Sequence, residues 1–109
     1  MKQESWRDSC PLLDGERKRG SVSYDLHVQL PESPEETLEQ VRGMVRSDDS
    51  DASTALFELY NRDAPMTLAF TDGRRLDFVL ESYDIRQGGM CDGWVLGKGP
   101  AYSPGDGSR

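Results

Sequence analysis

One ten-residue segment in the first third of the chain constrains the fold more than any other feature. From Ser21 to Leu30 every even-numbered residue is apolar and every odd-numbered residue is polar. A period of two places alternate side chains on opposite faces of a β-strand. We therefore expect a strand that buries one face, in an antiparallel sheet whose other face is wetted by solvent. The apolar residues of this strand are Val22, Tyr24, Leu26, Val28 and Leu30.

The segment from Met66 to Tyr83 predicts a β-hairpin, and its turn predicts the register. A three-residue loop over Thr71–Gly73, with Gly73 in the left-handed conformation, places all the large apolar residues of both strands on one face. A two-residue turn would set these residues opposite charged ones, which register rules disfavour. The predicted pairs are Phe70 with Arg74, Leu68 with Leu76, and Met66 with Phe78.

Two helices are predicted between these strands. Ser33–Glu36 has the pattern of a capping box with proline at the first helical position, so we expect a helix from Pro34 to Arg46. Its buried stripe would consist of Leu38, Val41 and Val45. A short helix is predicted over residues 52–60. The alternative of a strand stays open there, because Ala55, Phe57 and Leu59 also fit one strand face.

The two ends of the chain show no apolar periodicity. Residues 1–20 are therefore expected to form a flexible arm, and residues 100–109, rich in Pro, Gly and Ser, a disordered tail. Residues 21–99 would form a single α+β domain that ends with a strand over Asp92–Lys98. The element order β-α-α-β-β-β predicts one antiparallel sheet of about four strands with helix packed on one face.

Charge and composition narrow the classes of partner. A formal net charge of −7 would repel nucleic acid and anionic membrane surfaces. No apolar run approaches the ~20 residues that span a bilayer, and the first residues lack a signal-peptide pattern, so we expect a cytoplasmic protein. Cys10 and Cys91 are expected to be free thiols in loops. The residue pattern predicts no metal, cofactor or catalytic residue.

Acidic residues are concentrated in one region. Residues 32–63 contain nine Asp or Glu against three Arg. A surface of this kind suits a protein partner with a basic surface, so a non-enzymatic protein-binding or regulatory module is the first functional hypothesis. The expected binding residues are Glu35, Glu36, Glu39, Asp48, Asp49 and Asp51.

Two other functions remain open. A small ligand-binding or hydrolytic domain would use the polar face of the sheet, which includes the single histidine. The residues of that face are Asp25, His27, Arg75, Asp77 and Glu81. A small nucleic-acid-binding module is disfavoured by net charge, and it would use Arg17, Lys18, Arg19, Arg74 and Arg75. A homodimer is also conceivable through an edge strand, either Ser21–Leu30 or Asp92–Lys98.

Overall fold

The structure, a computed structural model, describes residues 2–30, 40–62 and 64–104. Its strands close into an antiparallel barrel in the order β1-β2-β3-β6-β5-β4. Two three-stranded meanders, β1 to β3 and β4 to β6, are connected through the helix α1. The elements are β1 (Lys2–Asp14), β2 (Arg17–Leu30), β3 (Gln40–Ser47), α1 (Ser50–Tyr60), β4 (Met66–Ala69), β5 (Arg75–Ile85) and β6 (Cys91–Gly97).

The predicted open sheet of four strands with helix on one face is wrong, because the sheet has no open side. Strand β4 pairs with β1 at Leu12 and Leu13, and β3 pairs with β6 over residues 42–46. These two seams join the meanders into a barrel, which removes the exposed edges of an open sheet. The strands β2 and β6, which were candidates for edge-to-edge dimerisation, are each paired on both sides.

The helix predicted from Pro34 to Arg46 is also wrong over its second half, where the chain forms β3. Residues 31–39, with the capping box, lie outside the described residues. In β3 the side chains of Val41 and Val45 point into the barrel, while Arg42 and Arg46 are exposed. A spacing of four residues suits one face of a helix and one face of a strand equally well. Pairing with β2 and β6 on both sides decides the strand.

The predicted flexible arm is a strand that carries part of the core. Strand β1 pairs with β2 along most of its length, and its last third contributes the buried side chains Cys10, Leu12 and Leu13. Most side chains of residues 3–9 are exposed, so these residues show no alternation that a sequence pattern could detect. A register shift between Pro11 and Leu13 also interrupts the period of two.

The tail prediction is wrong for the residues next to β6. The backbone N–H of Arg75 donates to the Tyr102 carbonyl at 2.7 Å, and the Tyr102 N–H donates to the Arg75 carbonyl at 2.8 Å. Ala101 packs against the core. The pairing of Arg75 with Tyr102 is an isolated bridge that adds one residue pair to the sheet beside β5. Residues 105–109 lie outside the described residues.

Three other predictions are confirmed. The side chains of Val22, Leu26 and Val28 in β2 are fully buried, as the alternation requires. The β4–β5 hairpin has the predicted pairs, and Gly73 lies in the left-handed region with φ 94°. Residues 52–60 form a helix, within α1.

Helix α1 covers one end of the barrel. It contacts both β2 and β5, which lie on opposite walls because they are three steps apart in the ring of six strands. Its buried side chains are Ala52, Ala55, Leu56 and Leu59. At Gly20 the strand β2 comes so close that a Cβ atom would lie 2.5 Å from the Ala52 backbone nitrogen. The helix therefore closes the apolar interior against solvent.

Both cysteines are free, as predicted, but neither lies in a loop. Cys10 is in β1 and Cys91 begins β6, and both thiols are buried in the core. Burial raises the pKa of the Cys10 thiol to about 12. This thiol is therefore protonated at neutral pH and acts as a small apolar side chain.

Candidate functional site

A groove of about 420 Å³ lies on the outer surface of the barrel across β2, β3 and β6. We call it the outer groove. The strand pairing sets its side chains in rows that run across the three strands. One row is Ser23, Arg46 and Asp92, and the next is Asp25, Met44 and Trp94. His27 and Asp48 also line the groove.

The β6 side of the outer groove contains a buried carboxylate held by two guanidinium groups. The side chain of Asp92 is only 7% exposed. Arg46 donates from Nε to Asp92 Oδ1 at 3.2 Å, and the Nε of Arg86 donates to Oδ2. Buried carboxylates require such partners, because leaving the charge without hydrogen bonds costs several kcal/mol. Asp92 and Arg46 line this side of the groove, and Arg86 holds Asp92 from outside the lining.

The β2 side carries two carboxylates that are held less firmly. Asp48 accepts hydrogen bonds from the Ser23 hydroxyl at 2.8 and 3.0 Å, and no Lys or Arg of the described residues forms an ion pair with it. Asp25 Oδ2 lies 3.2 Å from the guanidinium of Arg7, whose side chain is 76% exposed. The other oxygen, Asp25 Oδ1, is buried without a hydrogen-bond partner among the described residues. This side of the groove therefore has unused capacity to accept hydrogen bonds.

Beside these charged groups the outer groove has an apolar part, formed by Met44 on β3 and Trp94 on β6. Met44 and Trp94 are adjacent in the strand pairing, and each is 39% exposed. A thioether beside an indole makes a polarizable surface. An aliphatic or planar group can lie on this surface while its polar end reaches the carboxylates of the β2 side.

A second exposed surface lies on α1 and the end of β5, and we call it the aromatic patch. It consists of Phe57, Tyr60, Tyr83 and Ile85. The ring centroids of Phe57 and Tyr83 are 5.8 Å apart, as are those of Tyr60 and Tyr83. Ile85 is 71% exposed, Phe57 53% and Tyr60 47%. Burial raises the pKa of Tyr83 to about 12, so its hydroxyl is protonated at neutral pH.

Sequence reasoning missed the aromatic patch and named three residues of the outer groove, Asp25, His27 and Asp48, without placing them in one site. In β5 a register shift between Leu80 and Ser82 reverses the alternation, so Tyr83 turns toward α1. The one available signal was in α1, where Phe57 and Tyr60 lie off the buried stripe of the helix. The sequence offered no comparable signal for the groove, because it depends on pairing between three strands that are distant along the chain.

The predicted acidic site is only partly described, and its members have different roles. Glu35, Glu36 and Glu39 lie outside the described residues. Asp49 is the N-cap of α1, because its Oδ1 accepts from the Ala52 N–H at 2.8 Å and its Oδ2 from the Ser21 N–H at 3.1 Å. Asp51 is exposed in the first turn of α1, and Asp48 lies in the outer groove.

The predicted polar sheet face is divided between opposite walls of the barrel. Asp25 and His27 are on β2 and line the outer groove, with His27 exposed. Asp77 lies on β5, where Thr67 and Tyr102 donate to its Oδ1 at 2.7 and 2.9 Å. The other two members are also on β5, Arg75 paired with Glu16 at 3.0 Å and Glu81 exposed. The structure therefore does not bring these five residues together in one site.

The basic residues predicted for nucleic-acid binding are mostly engaged with carboxylates. Arg19 pairs with Asp14 and Glu58, and Arg75 pairs with Glu16. Arg74 pairs with Asp72 at 2.8 Å, and its guanidinium lies 4.5 Å from the centre of the Trp6 ring. Arg17 and Lys18 are exposed at the start of β2. These residues do not form a continuous unpaired basic stripe in the part of the chain that is described.

Comparisons do not place the chain in a family. The chain matches no protein-family model, no curated protein and no solved structure with which it was compared. None of the described helices has the length and apolar character needed to cross a membrane. Any function must therefore be argued from the two surfaces themselves.

Proposed function

We propose that this protein is a non-enzymatic protein-binding module and that the aromatic patch is its docking surface. The observation that carries the proposal is the exposure of Phe57 and Tyr60 on α1 and of Ile85 on β5, with both rings packed on the half-buried Tyr83. A contiguous apolar surface of this kind is uncommon on a protein that functions alone, and aromatic residues dominate binding hot spots.

The buried stripe of α1 does not include the exposed side chains of the patch. Helix α1 already buries Ala52, Ala55, Leu56 and Leu59 against the barrel. Phe57 and Tyr60 contact Tyr83 at the surface and add little to the enclosed core. Their exposure therefore supports a role outside the folded domain.

Charge around the aromatic patch supports a partner that is basic as well as apolar. Asp51 and Glu58 are exposed on α1, with Glu58 paired to Arg19, and Glu81 and Asp84 are exposed on β5. The last turn of α1 contains no basic residue, so the negative end of the helix dipole adds to this field. The proposed occupant is an amphipathic segment with apolar residues for the patch and Lys or Arg at its border.

The proposal includes a cytoplasmic location. Two buried cysteines that remain unpaired suit a reducing compartment, where disulfides rarely form. The net charge of −7 would also steer a basic partner toward the protein at low ionic strength.

Two synthetic helical peptides test the proposal, one composed of Lys and Leu and its counterpart of Glu and Leu. We expect calorimetry to show binding of the Lys/Leu peptide, weakened by salt, and no binding of the Glu/Leu peptide. Phe57→Ser should weaken binding about tenfold or more, as at a hot spot, and its melting temperature should stay near that of the parent. Tyr102→Ser removes an exposed aromatic side chain outside the patch and should leave the affinity unchanged.

Two outcomes would overturn the proposal. One is the absence of Lys/Leu peptide binding at low salt. The other is an affinity of Phe57→Ser equal to that of the parent protein, which would place any binding elsewhere.

A further inference from the structure

We propose that the outer groove is a second binding site, independent of the aromatic patch, and that its ligand is an alkyl guanidinium, the chemical group of an arginine side chain. The groove combines an apolar floor with carboxylates on one side, and it is large enough for such a group. None of its lining residues belongs to the aromatic patch.

The carboxylates of the β2 side supply the charge for this ligand. Asp25 lines the groove with its side chain 43% exposed, and its Oδ2 lies beside the exposed guanidinium of Arg7. Asp48 accepts from the Ser23 hydroxyl, a neutral donor, and has no Lys or Arg partner within residues 2–30, 40–62 and 64–104. A cation with several N–H donors suits two carboxylates beside one serine better than an ion that acts as a single point charge. Each N–H of such a cation can donate to a different oxygen.

The floor of the outer groove offers an apolar surface for the alkyl chain of the ligand. Trp94 presents part of its ring to solvent, and Met44 extends the apolar surface toward Asp25. The row runs from Trp94 through Met44 to Asp25, so an alkyl chain that lies on the indole and the thioether directs its guanidinium toward Asp25. The guanidinium can donate to this carboxylate through two N–H groups at once.

The opposite wall explains why an anion is not the expected ligand. Arg46 is the cation that lines the groove, and its Nε already donates to Asp92. The lining carries three carboxylates, Asp25, Asp48 and Asp92, against this one guanidinium, so the charge of the groove favours a cation over an anion. The free acceptor capacity is on the β2 side, and the ligand is therefore a cation.

Fluorescence of Trp94 tests the site directly. The chain has two tryptophans, so a Trp6→Phe background leaves Trp94 as the reporter and keeps an aromatic ring against Phe70. The probes are agmatine, the blocked tripeptide acetyl-Gly-Arg-Gly-amide, and the same tripeptide with citrulline, a neutral group of the same shape, in place of arginine. We expect a saturable fluorescence change with at least one guanidinium probe and none with the citrulline probe.

Variants locate the site and separate it from the aromatic patch. Asp25→Asn should weaken guanidinium binding about tenfold, while Asp77→Asn, a carboxylate change on the opposite wall, should leave it unchanged. Phe57→Ser should also leave it unchanged, so this proposal and the proposed function can fail separately. Circular dichroism melting of each variant verifies that it is folded.

The outcomes are decisive in both directions. Binding of agmatine indicates a small-molecule ligand, and binding of the tripeptide alone indicates an arginine within a peptide chain. Either result supports a guanidinium site. The proposal is overturned if neither guanidinium probe gives a saturable change, if citrulline binds equally well, or if folded Asp25→Asn retains the full affinity.

Discussion

Replacing Leu12 with alanine tests the most unexpected part of the fold, the inclusion of the first strand in the core. Leu12 lies in β1, is 0% exposed, and pairs with Leu68 of β4 at the seam that closes the barrel. If residues 1–20 were a flexible arm, this substitution would leave stability unchanged. If the barrel is closed as described, the substitution opens a cavity in the core.

The expected loss of stability follows from burial. Leucine to alanine removes about three carbon groups, each contributing about 0.8 kcal/mol when fully buried, which gives about 2.4 kcal/mol for the transfer alone. The cavity that remains adds to this value, so we expect a total near 3–4 kcal/mol. For a domain of this size the melting temperature would fall by roughly 12 °C or more.

Urea unfolding and thermal melting followed by circular dichroism measure this difference. Leu96→Ala is the matched control, because Leu96 lies half-buried on the outer face of β6, where the same change should cost about 1 kcal/mol or less. A Leu12→Ala variant with the parent's midpoint in both experiments would refute the closed barrel. A loss no larger than that of Leu96→Ala would have the same meaning.

Two further predictions concern stability. Gly20→Ala should destabilise the fold by about 2 kcal/mol or more in urea unfolding, because Gly20 has φ 111° and a Cβ atom would lie 2.4 Å from Asp49 Oδ1. Gly88→Ala is the control: Gly88 is also left-handed but has open space around it, so this variant measures the backbone strain without the clash. The bidentate hydrogen bonds from Arg62 hold the pKa of Asp14 below its ordinary value of 3.8. Asp14→Asn should therefore lower stability by about 1 kcal/mol at pH 7. The difference in stability between parent and variant should shrink as the pH falls from 3.8 through the lower pKa of the folded state. An equal difference at pH 7 and pH 2 would contradict this explanation.

Local patterns predicted several elements of this protein correctly. The alternation of Ser21–Leu30, the turn chemistry of Thr71–Gly73 and the apolar spacing of residues 52–60 each depend on residues within one element. The backbone period and the conformational preference of Gly73 act over a few residues, so these features can be inferred before any tertiary contact is known. The same reasoning predicted the register of the β4–β5 hairpin.

The error at β3 shows where local patterns become ambiguous. Val41 and Val45 suit a helix stripe and a strand face alike, and only pairing on both sides distinguishes them. At Gly43 the strands approach so closely that a Cβ atom would lie 2.2 Å from the Asp25 carbonyl oxygen. Such a contact joins residues that the sequence separates, and no periodicity encodes it.

The sequence by itself determined the strand over Ser21–Leu30, the β4–β5 hairpin and the apolar faces of both, because side-chain periodicity is a local property of the backbone. Tertiary structure alone decided that β1 belongs to the core, that the sheet closes, and that Asp25, Met44 and Trp94 form one row of the outer groove. These outcomes depend on the free energy gained when distant strands pair and bury their apolar faces together, and that free energy belongs to the assembled barrel as a whole.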